Sequence, residues 1–185
     1  SLGLIFFLPI FILTAILIKI YSPGAILFKQ QRIGKHGKSF KLMKFRTMEE
    51  LNAAHSNFDA GDTTRVTSIG KFLRKSKLDE LPQLINILKG EMSFVGPRPE
   101  VEEWTKVYSD KWSIVHRVKP GITDYASIQF RNEQEILENA DDPVKKYKED
   151  ILPYKLSLNI DYVNNRSFLG DLKIILLTIY TVIFK

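Results

Sequence analysis

The chain has 185 residues, enough for one well-packed domain, and it has no cysteine, which excludes a disulfide scaffold and a thiolate metal site. A net charge of +6 and a pI near 9.4 point to an anionic partner: nucleic acid, a phosphorylated substrate or a membrane surface. No internal repeat or low-complexity tract interrupts it.

The first element is apolar. Leu2 to Ile20, LGLIFFLPIFILTAILIKI, carries only Thr14 and Lys19 as polar residues. As a helix it reaches about 28 Å, roughly the hydrocarbon thickness of a bilayer. Pro9 should break or kink it. No basic leader or small-residue cleavage site marks a signal peptide. From Lys19 to Arg46 every charged residue is basic, and the first acid is Glu49. That asymmetry puts the following domain on the cytoplasmic side. Hydropathy favours a kinked spanning helix; the other reading is a helix that enters, turns at Pro9 and leaves on the same side.

Ala25–Gln31 and Ser39–Phe45 read as two strands around the turn Gly34-Lys35-His36-Gly37. Gly37-Lys38-Ser39 is not a phosphate-binding loop, because Arg32 stands where that motif needs its first glycine. Lys44 and Arg46 share one strand face, where charges also discourage edge pairing. Glu49–Thr67 reads as a polar loop or short helix with a turn at Gly61-Asp62. His36 and His55 have no partner at metal-ligand spacing. Ser68 is the expected cap of a helix through Ile69, Phe72 and Leu73, which carries Arg74 forward.

The stretch from Arg74 to Pro99, RKSKLDELPQLINILKGEMSFVGPRP, is the chemical centre. Leu81, Leu84, Ile85 and Leu88 repeat as one apolar helix face, with Gly90 as the C-terminal cap. Pro82 is tolerated only in a first turn, so the helix should start at Leu78 to Glu80 with Asp79 near its N-cap. Ser76 is the alternative cap. The helix dipole then favours ionised carboxylates at Asp79 and Glu80. Arg74, Lys75 and Lys77 precede this pair. Arg98 follows it between two prolines, a stiff presentation suited to phosphate oxygens. Adjacent acids can hold Mg²⁺ together with substrate phosphates. The same residues are equally explained as a helix start and a surface loop.

Beyond Pro99, Glu100–Val118 should be helical, with Trp104 and Trp112 in a core or at a membrane surface. Lys119–Thr123 reads as a turn leading to a strand over Tyr125–Phe130. Arg131 is placed to pair with Glu133 or Glu135. Glu135–Asp150 is a charged helix broken at Asp142-Pro143, and Leu152–Asn164 resumes helical spacing. Asp161 and Asp171 are the acids of interest there. Asp171 would cap Leu172–Phe184, about 13 apolar residues, too short to span and suited to a core or an in-plane interfacial helix.

KLDELPQLINILKGEMSFVGPRP, with Tyr21-Ser22-Pro23-Gly24, Lys44-Phe45-Arg46-Thr47-Met48 and Val118-Lys119-Pro120-Gly121-Ile122-Thr123, resembles the bacterial sugar transferases. These are the monotopic phosphoglycosyl transferases that load a sugar phosphate onto a polyprenyl phosphate. The resemblance covers nearly the whole chain, in order. It implies an α+β, mainly helical monotopic membrane protein with a re-entrant helix-break-helix at residues 1–21, a short β-hairpin and interfacial amphipathic helices. Residues 22–185 would form the catalytic domain, on the cytoplasmic face of the bacterial inner membrane, ending in an interfacial helix. A short basic and aromatic run usually precedes this point in the family, so an N-terminal truncation is expected.

The implied reaction moves a sugar 1-phosphate from a UDP-sugar to undecaprenyl phosphate, releasing UMP, with Mg²⁺ as cofactor. It is the first membrane step of surface glycoconjugate assembly. Asp79 would be the nucleophile and Glu80 would support the metal, with Asp171 as a further candidate metal ligand. Lys44 matches an active-site lysine, Arg131 matches the family's arginine, and Arg46, Arg74 and Arg98 complete the substrate-binding set. Membrane lipid is an expected partner, nucleic acid is not, and a homo-oligomer is compatible. Asp124-Tyr125-Ala126 and Phe130 depart from the common Gly-Trp-Ala and Gly, at positions where substrate contacts are expected. The alternative is a membrane-tethered basic module that holds anionic lipid or nucleic acid nonspecifically.

Overall fold

The computed structural model describes the backbone of residues 2–49 and 65–184, and side chains from residue 8 onward. The loop expected at Glu49–Thr67, with Gly61-Asp62 and His55, lies almost entirely outside the described residues.

Helix α1 (Leu2–Tyr21) is continuous through Pro9. Of the break or kink expected at Pro9, the helix therefore shows no break: a proline costs one backbone hydrogen bond, and a helix can absorb that without ending. One face of α1 packs on the domain. Ile18 is fully buried with Phe45 and Leu73, and the Phe11 and Phe45 rings lie 5.3 Å apart. The other face leaves Leu8, Ile12, Leu13, Ile16 and Ile20 exposed. Among the described residues, no helix is long and apolar enough to cross a membrane.

Strands β1 (Leu27–Ile33) and β2 (Ser39–Phe45) form the expected antiparallel hairpin, Leu27 opposite Phe45 and Ile33 opposite Ser39. Its tip takes positive φ at His36 and Gly37. Helix α2 (Ser68–Lys75) is capped by Thr67, not Ser68: the Thr67 hydroxyl accepts from the Gly70 N–H at 3.0 Å. A Cβ on Gly70 would sit 2.1 Å from the Thr47 carbonyl oxygen, so glycine lets α2 press onto the end of the hairpin.

The helix expected from Leu78 is split. Leu78–Glu80 is a single tight turn, and α3 (Gln83–Leu88) follows Pro82. Its buried positions are Gln83 and Asn86, while Leu88 is 57% exposed. The apolar repeat therefore does not mark the packed face. Asn86 explains this: its side chain accepts from the Met43 N–H (3.1 Å) and donates to the Lys41 carbonyl (2.9 Å), docking α3 on β2 as a strand edge would.

A short parallel pair, β3 (Ser93–Val95) and β4 (Gly121–Thr123), is the element least visible in the sequence. The two chains touch at Gly96 and Gly121, where a Cβ on Gly121 would meet the Gly96 nitrogen at 2.2 Å. The helix expected over Glu100–Val118 is two helices, α4 (Glu102–Lys106) and α5 (Ser109–Val115), separated by Tyr108 at φ 59°. The strand expected at Tyr125–Phe130 is instead helix α6 (Tyr125–Gln129), because Asp124 caps it: the carboxylate accepts from the Ser127 N–H at 2.6 Å.

Next come α7 (Glu133–Glu138) and α8 (Pro143–Lys146), with the predicted break at Asp142-Pro143 between them. A wider turn at Tyr147–Ile151 leads into α9 (Leu152–Asn165). Trp112, Val115, Leu137, Tyr147, Ile151, Leu152 and Leu156 form one buried cluster between α5 and α9. Helix α10 (Phe168–Phe184) starts earlier than expected, so Asp171 lies inside its first turn and Ser167 supplies the cap. Ile174 of α10 is fully buried, whereas Phe168, Leu169, Leu176, Ile183 and Phe184 are exposed. The fold is mainly helical α+β, as expected, with a small β-hairpin.

Candidate active site

Lys77, in the left-handed region at φ 57°, turns the chain out of α2 and into the tight turn that carries the acids. A non-glycine residue held there costs of order 1 kcal/mol or more, which the surrounding structure must offset. Asp79 and Glu80 come out 6% and 7% exposed. Neither caps α3 with its side chain.

Although adjacent, the two carboxylates are in opposite situations. Glu80 is saturated. Its Oε1 accepts from the Lys44 Nζ at 3.2 Å and from Arg98 at 2.5 Å, and its Oε2 accepts from a second Arg98 nitrogen at 3.3 Å. Burial pushes the Glu80 carboxyl up, but Arg98 and Lys44 outweigh it and hold it well below the usual carboxylate range. Asp79 Oδ1 is buried and has no hydrogen-bond partner among the described residues. Burial pushes the Asp79 carboxyl up, opposed by Lys44 and reinforced by the charge on Glu80. Lys44 is pushed down by burial against the pull of Glu80, and Arg98 is pushed up mainly by Glu80.

The Pro97-Arg98-Pro99 segment is held at three points. The Pro97 carbonyl accepts from the Gly121 N–H (3.0 Å), the Arg98 N–H donates to Asp124 Oδ2 (3.0 Å), and the Pro99 carbonyl accepts from Arg32 (3.3 Å). Glu100, directly after it, pairs with Arg32 at 2.8 Å and accepts from the Tyr147 hydroxyl at 2.9 Å.

The other expected site residues are placed differently. Arg74 donates to the Thr47 hydroxyl at 3.0 Å, and burial pushes its guanidinium down against the pull of Asp79. Arg46 is buried and donates to the Ser22 and Pro23 carbonyls (2.6 and 2.7 Å), so it ties the end of α1 to β2 rather than facing the carboxylate pair. Arg131 donates to the Thr181 carbonyl in α10 (2.7 Å), and Glu133 pairs instead with Lys155. Asp171 accepts from the Tyr162 hydroxyl (2.9 Å), and Asp161 accepts from Asn165 (2.7 Å). Among the described residues, no group of three or more acids or histidines forms a metal-ligating cluster, so Asp171 is not gathered with Asp79 and Glu80. A cavity of about 680 Å³ between the hairpin tip and α5, lined by His36, Trp112, His116 and Arg117 among others, contains none of the expected site residues.

Of the residues expected from sequence, the structure thus brings together the Asp79–Glu80 pair, Lys44 and Arg98. Sequence reasoning missed Asp124 and Glu100 as the residues that fix the loop. The signal for Asp124 was present, an acid three residues before Ser127 in the pattern of a helix cap.

This arrangement offers one buried carboxylate oxygen free of hydrogen bonds, flanked by a lysine and an arginine that a neighbouring glutamate holds in place. Such a group can attack phosphorus or hold a cation, and the arginine can grip phosphate oxygens. Comparison with known proteins agrees in kind. The chain is 41% identical over 174 residues to the uncharacterized sugar transferase EpsL of Bacillus subtilis (strain 168), covering 94% of this chain and 77% of that protein. It is 36% identical over 177 residues to the UDP-glucose:undecaprenyl-phosphate glucose-1-phosphate transferase of Escherichia coli (strain K12), covering 93% of this chain but 36% of the relative. It is 35% identical over 181 residues to the UDP-N-acetylgalactosamine-undecaprenyl-phosphate N-acetylgalactosaminephosphotransferase of Aeromonas hydrophila, covering 96% and 40%. The chain therefore spans well under half of the last two. The family model described as bacterial sugar transferase matches residues 1–185, and the chain belongs to that family.

Proposed function

We propose that the chain transfers a sugar 1-phosphate from a UDP-sugar to undecaprenyl phosphate and releases UMP. The observation that carries this reading is the pairing of an unsatisfied, buried Asp79 oxygen with a saturated Glu80. An Asp79 oxygen attacks the phosphorus that bears the sugar. The bond from that phosphorus to the bridging oxygen breaks, and the electron pair leaves with UMP. An oxygen of undecaprenyl phosphate then attacks the same phosphorus and restores the Asp79 carboxylate, giving an undecaprenyl diphosphate sugar. Arg98 stabilises charge on the phosphate oxygens, and Lys44 stands beside the attacking carboxylate. Two successive steps let a soluble and a lipid substrate use one site in turn.

Mg²⁺ fits this donor set through Asp79, whose Oδ1 is otherwise unpartnered, whereas both Glu80 oxygens are already engaged. When bound, the cation would neutralise diphosphate charge as a Lewis acid, with substrate phosphates completing its shell. Asp171, which accepts from Tyr162, is not gathered with this donor set among the described residues. The exposed apolar faces of α1 and α10 support seating at the cytoplasmic face of the inner membrane, with α1 inserted and α10 in the interface plane. Basic residues dominate the segment after α1, on the membrane side that this orientation predicts. A basic lipid-binding module would not require the Asp79–Glu80 arrangement.

The test is UMP release from a panel of UDP-sugars in Mg²⁺ buffer, with and without undecaprenyl phosphate. Release that requires the lipid phosphate, for one or two donors, supports the reading. No release on any donor from folded protein in nanodiscs would sink it.

A further inference from the structure

The Pro97-Arg98-Pro99 segment contains one backbone donor, because neither proline has an N–H. That donor, the Arg98 N–H, goes to Asp124 Oδ2 at 3.0 Å. The other oxygen of the same carboxylate takes the Ser127 N–H at 2.6 Å and starts α6. Asp124 is 1% exposed. A carboxylate this deeply buried is costly unless it is well partnered, and it accepts from two backbone N–H groups on two separate segments. Its charge also reaches the Arg98 guanidinium, after Glu80.

We infer that Asp124 is a positioning residue for the reaction proposed above. By holding the backbone of Arg98 it fixes where the guanidinium meets Glu80 and, through Glu80, how Asp79 and Lys44 are set. Its hydrogen bonds go to the Arg98 and Ser127 backbone, not to Asp79 or Glu80. Its second bond, to α6, is a structural duty that a smaller side chain can perform alone. The inference rests on the phosphoglycosyl transfer reading, and its test separates the two.

A serine at this position keeps an acceptor for the Ser127 N–H, since serine is a good N-cap, but its hydroxyl cannot serve both segments at once. Asp124→Ser is therefore expected to stay folded, with a melting temperature a few degrees lower for the unpaired Arg98 N–H, and to lower kcat about 10- to 100-fold, the cost of a slightly misplaced charged group. In an Arg98→Ala background the same substitution should cost less than about twofold, because the group it positions has been removed. Asp124→Asn, which preserves volume, repeats the measurement if the serine variant folds poorly.

Hydrogen–deuterium exchange supplies a readout that does not depend on activity. The Pro97–Pro99 segment has a single exchangeable amide, and its exchange should accelerate in Asp124→Ser. Unchanged kcat, unchanged exchange at Arg98, or an equal loss of kcat in the Arg98→Ala background would each overturn the assignment. A parent protein that releases no UMP from any donor would instead sink the proposed reaction, and the exchange measurement would then decide the role of Asp124 alone.

Discussion

Two buried glutamates, Glu80 against Arg98 and Glu100 directly after Pro99, do different jobs. Glu100 pairs with Arg32, accepts from Tyr147 and accepts from its neighbour's backbone at Val101. Arg32 in turn is held by Gln30. That cluster is closed, and Arg32 in particular holds the Glu100 carboxyl low in spite of burial. Glu80 has the same kind of arginine partner, but the carboxylate next to it keeps one buried oxygen unpaired. The Glu100 cluster looks like scaffold because nothing is left over. The Glu80 cluster looks like a site because something is. A buried polar atom without a partner costs about 1–3 kcal/mol and calls for an explanation, which the proposed reaction supplies for Asp79.

The sharpest way to break this comparison is Asp79→Asn. Turnover should fall by about a thousandfold or more, measured as UMP release, because an amide is not a nucleophile at phosphorus. Stability should move the other way. The Asp79 pKa is raised on folding, so its ionised form opposes folding, and that penalty grows as pH rises through the folded pKa. At neutral pH the variant should therefore melt a few degrees higher. The same shift predicts that the acid limb of the parent's kcat/KM profile lies above the ordinary aspartate value of about 3.9. A limb at or below that value, or a variant that melts lower, would remove the distinction between the two clusters.

Glu80→Gln comes next. It leaves Lys44 and Arg98 close together without their anion, and both are only partly exposed, at 22% and 31%. The expected loss is about 2–3 kcal/mol in urea unfolding, reduced from the range for fully buried pairs by this exposure, with turnover down about a hundredfold. The sign with pH is opposite to that of Asp79. The folded pKa of Glu80 is depressed, so its contribution is present above the unfolded pKa of about 4.3 and disappears as pH falls through the folded value.

Glu100→Gln should separate scaffold from site. The amide oxygen can still accept from Arg32 or Tyr147, and Arg32 keeps Gln30 and the Pro99 carbonyl. Stability should fall by about 1–2 kcal/mol in the same unfolding assay, while turnover stays within about threefold. The smallest effect is expected from Asp171→Asn. The amide oxygen can still accept from Tyr162, so both turnover and the Mg²⁺ concentration for half-maximal rate should remain within about threefold. A large rise in the Mg²⁺ requirement would place Asp171 on the metal after all.

The sequence made the gathering of charged side chains more legible than the packing. The hairpin was readable because alternation and a Gly-containing turn are local signals. Asp79, Glu80 and Arg98 were readable because charged residues and prolines at fixed spacing restrict what a chain can do. Strands β3 and β4 were not, since three residues show no alternation and their pairing is set by contacts between Gly96 and Gly121, far apart in sequence. The apolar repeat of α3 pointed to the wrong face because Asn86 anchors the helix through its side-chain amide, a polar solution that hydropathy cannot signal. Arg46 and Arg131 had the right residue type for phosphate, but the chain uses them on its own carbonyls at the ends of α1 and α10. Which of several arginines meets a substrate is decided by tertiary placement.

The three-point hold on Pro97-Arg98-Pro99 has a kinetic consequence. Two prolines already restrict the segment in the unfolded chain, and bonds to Gly121, Asp124 and Arg32 remove most of what freedom remains. The entropy of fixing the arginine backbone is thus lost once, at folding, and not again at each encounter with a donor. A pre-ordered arginine imposes no slow rearrangement after collision. Donor association should then follow a single exponential whose rate rises linearly with donor concentration, without a concentration-independent phase.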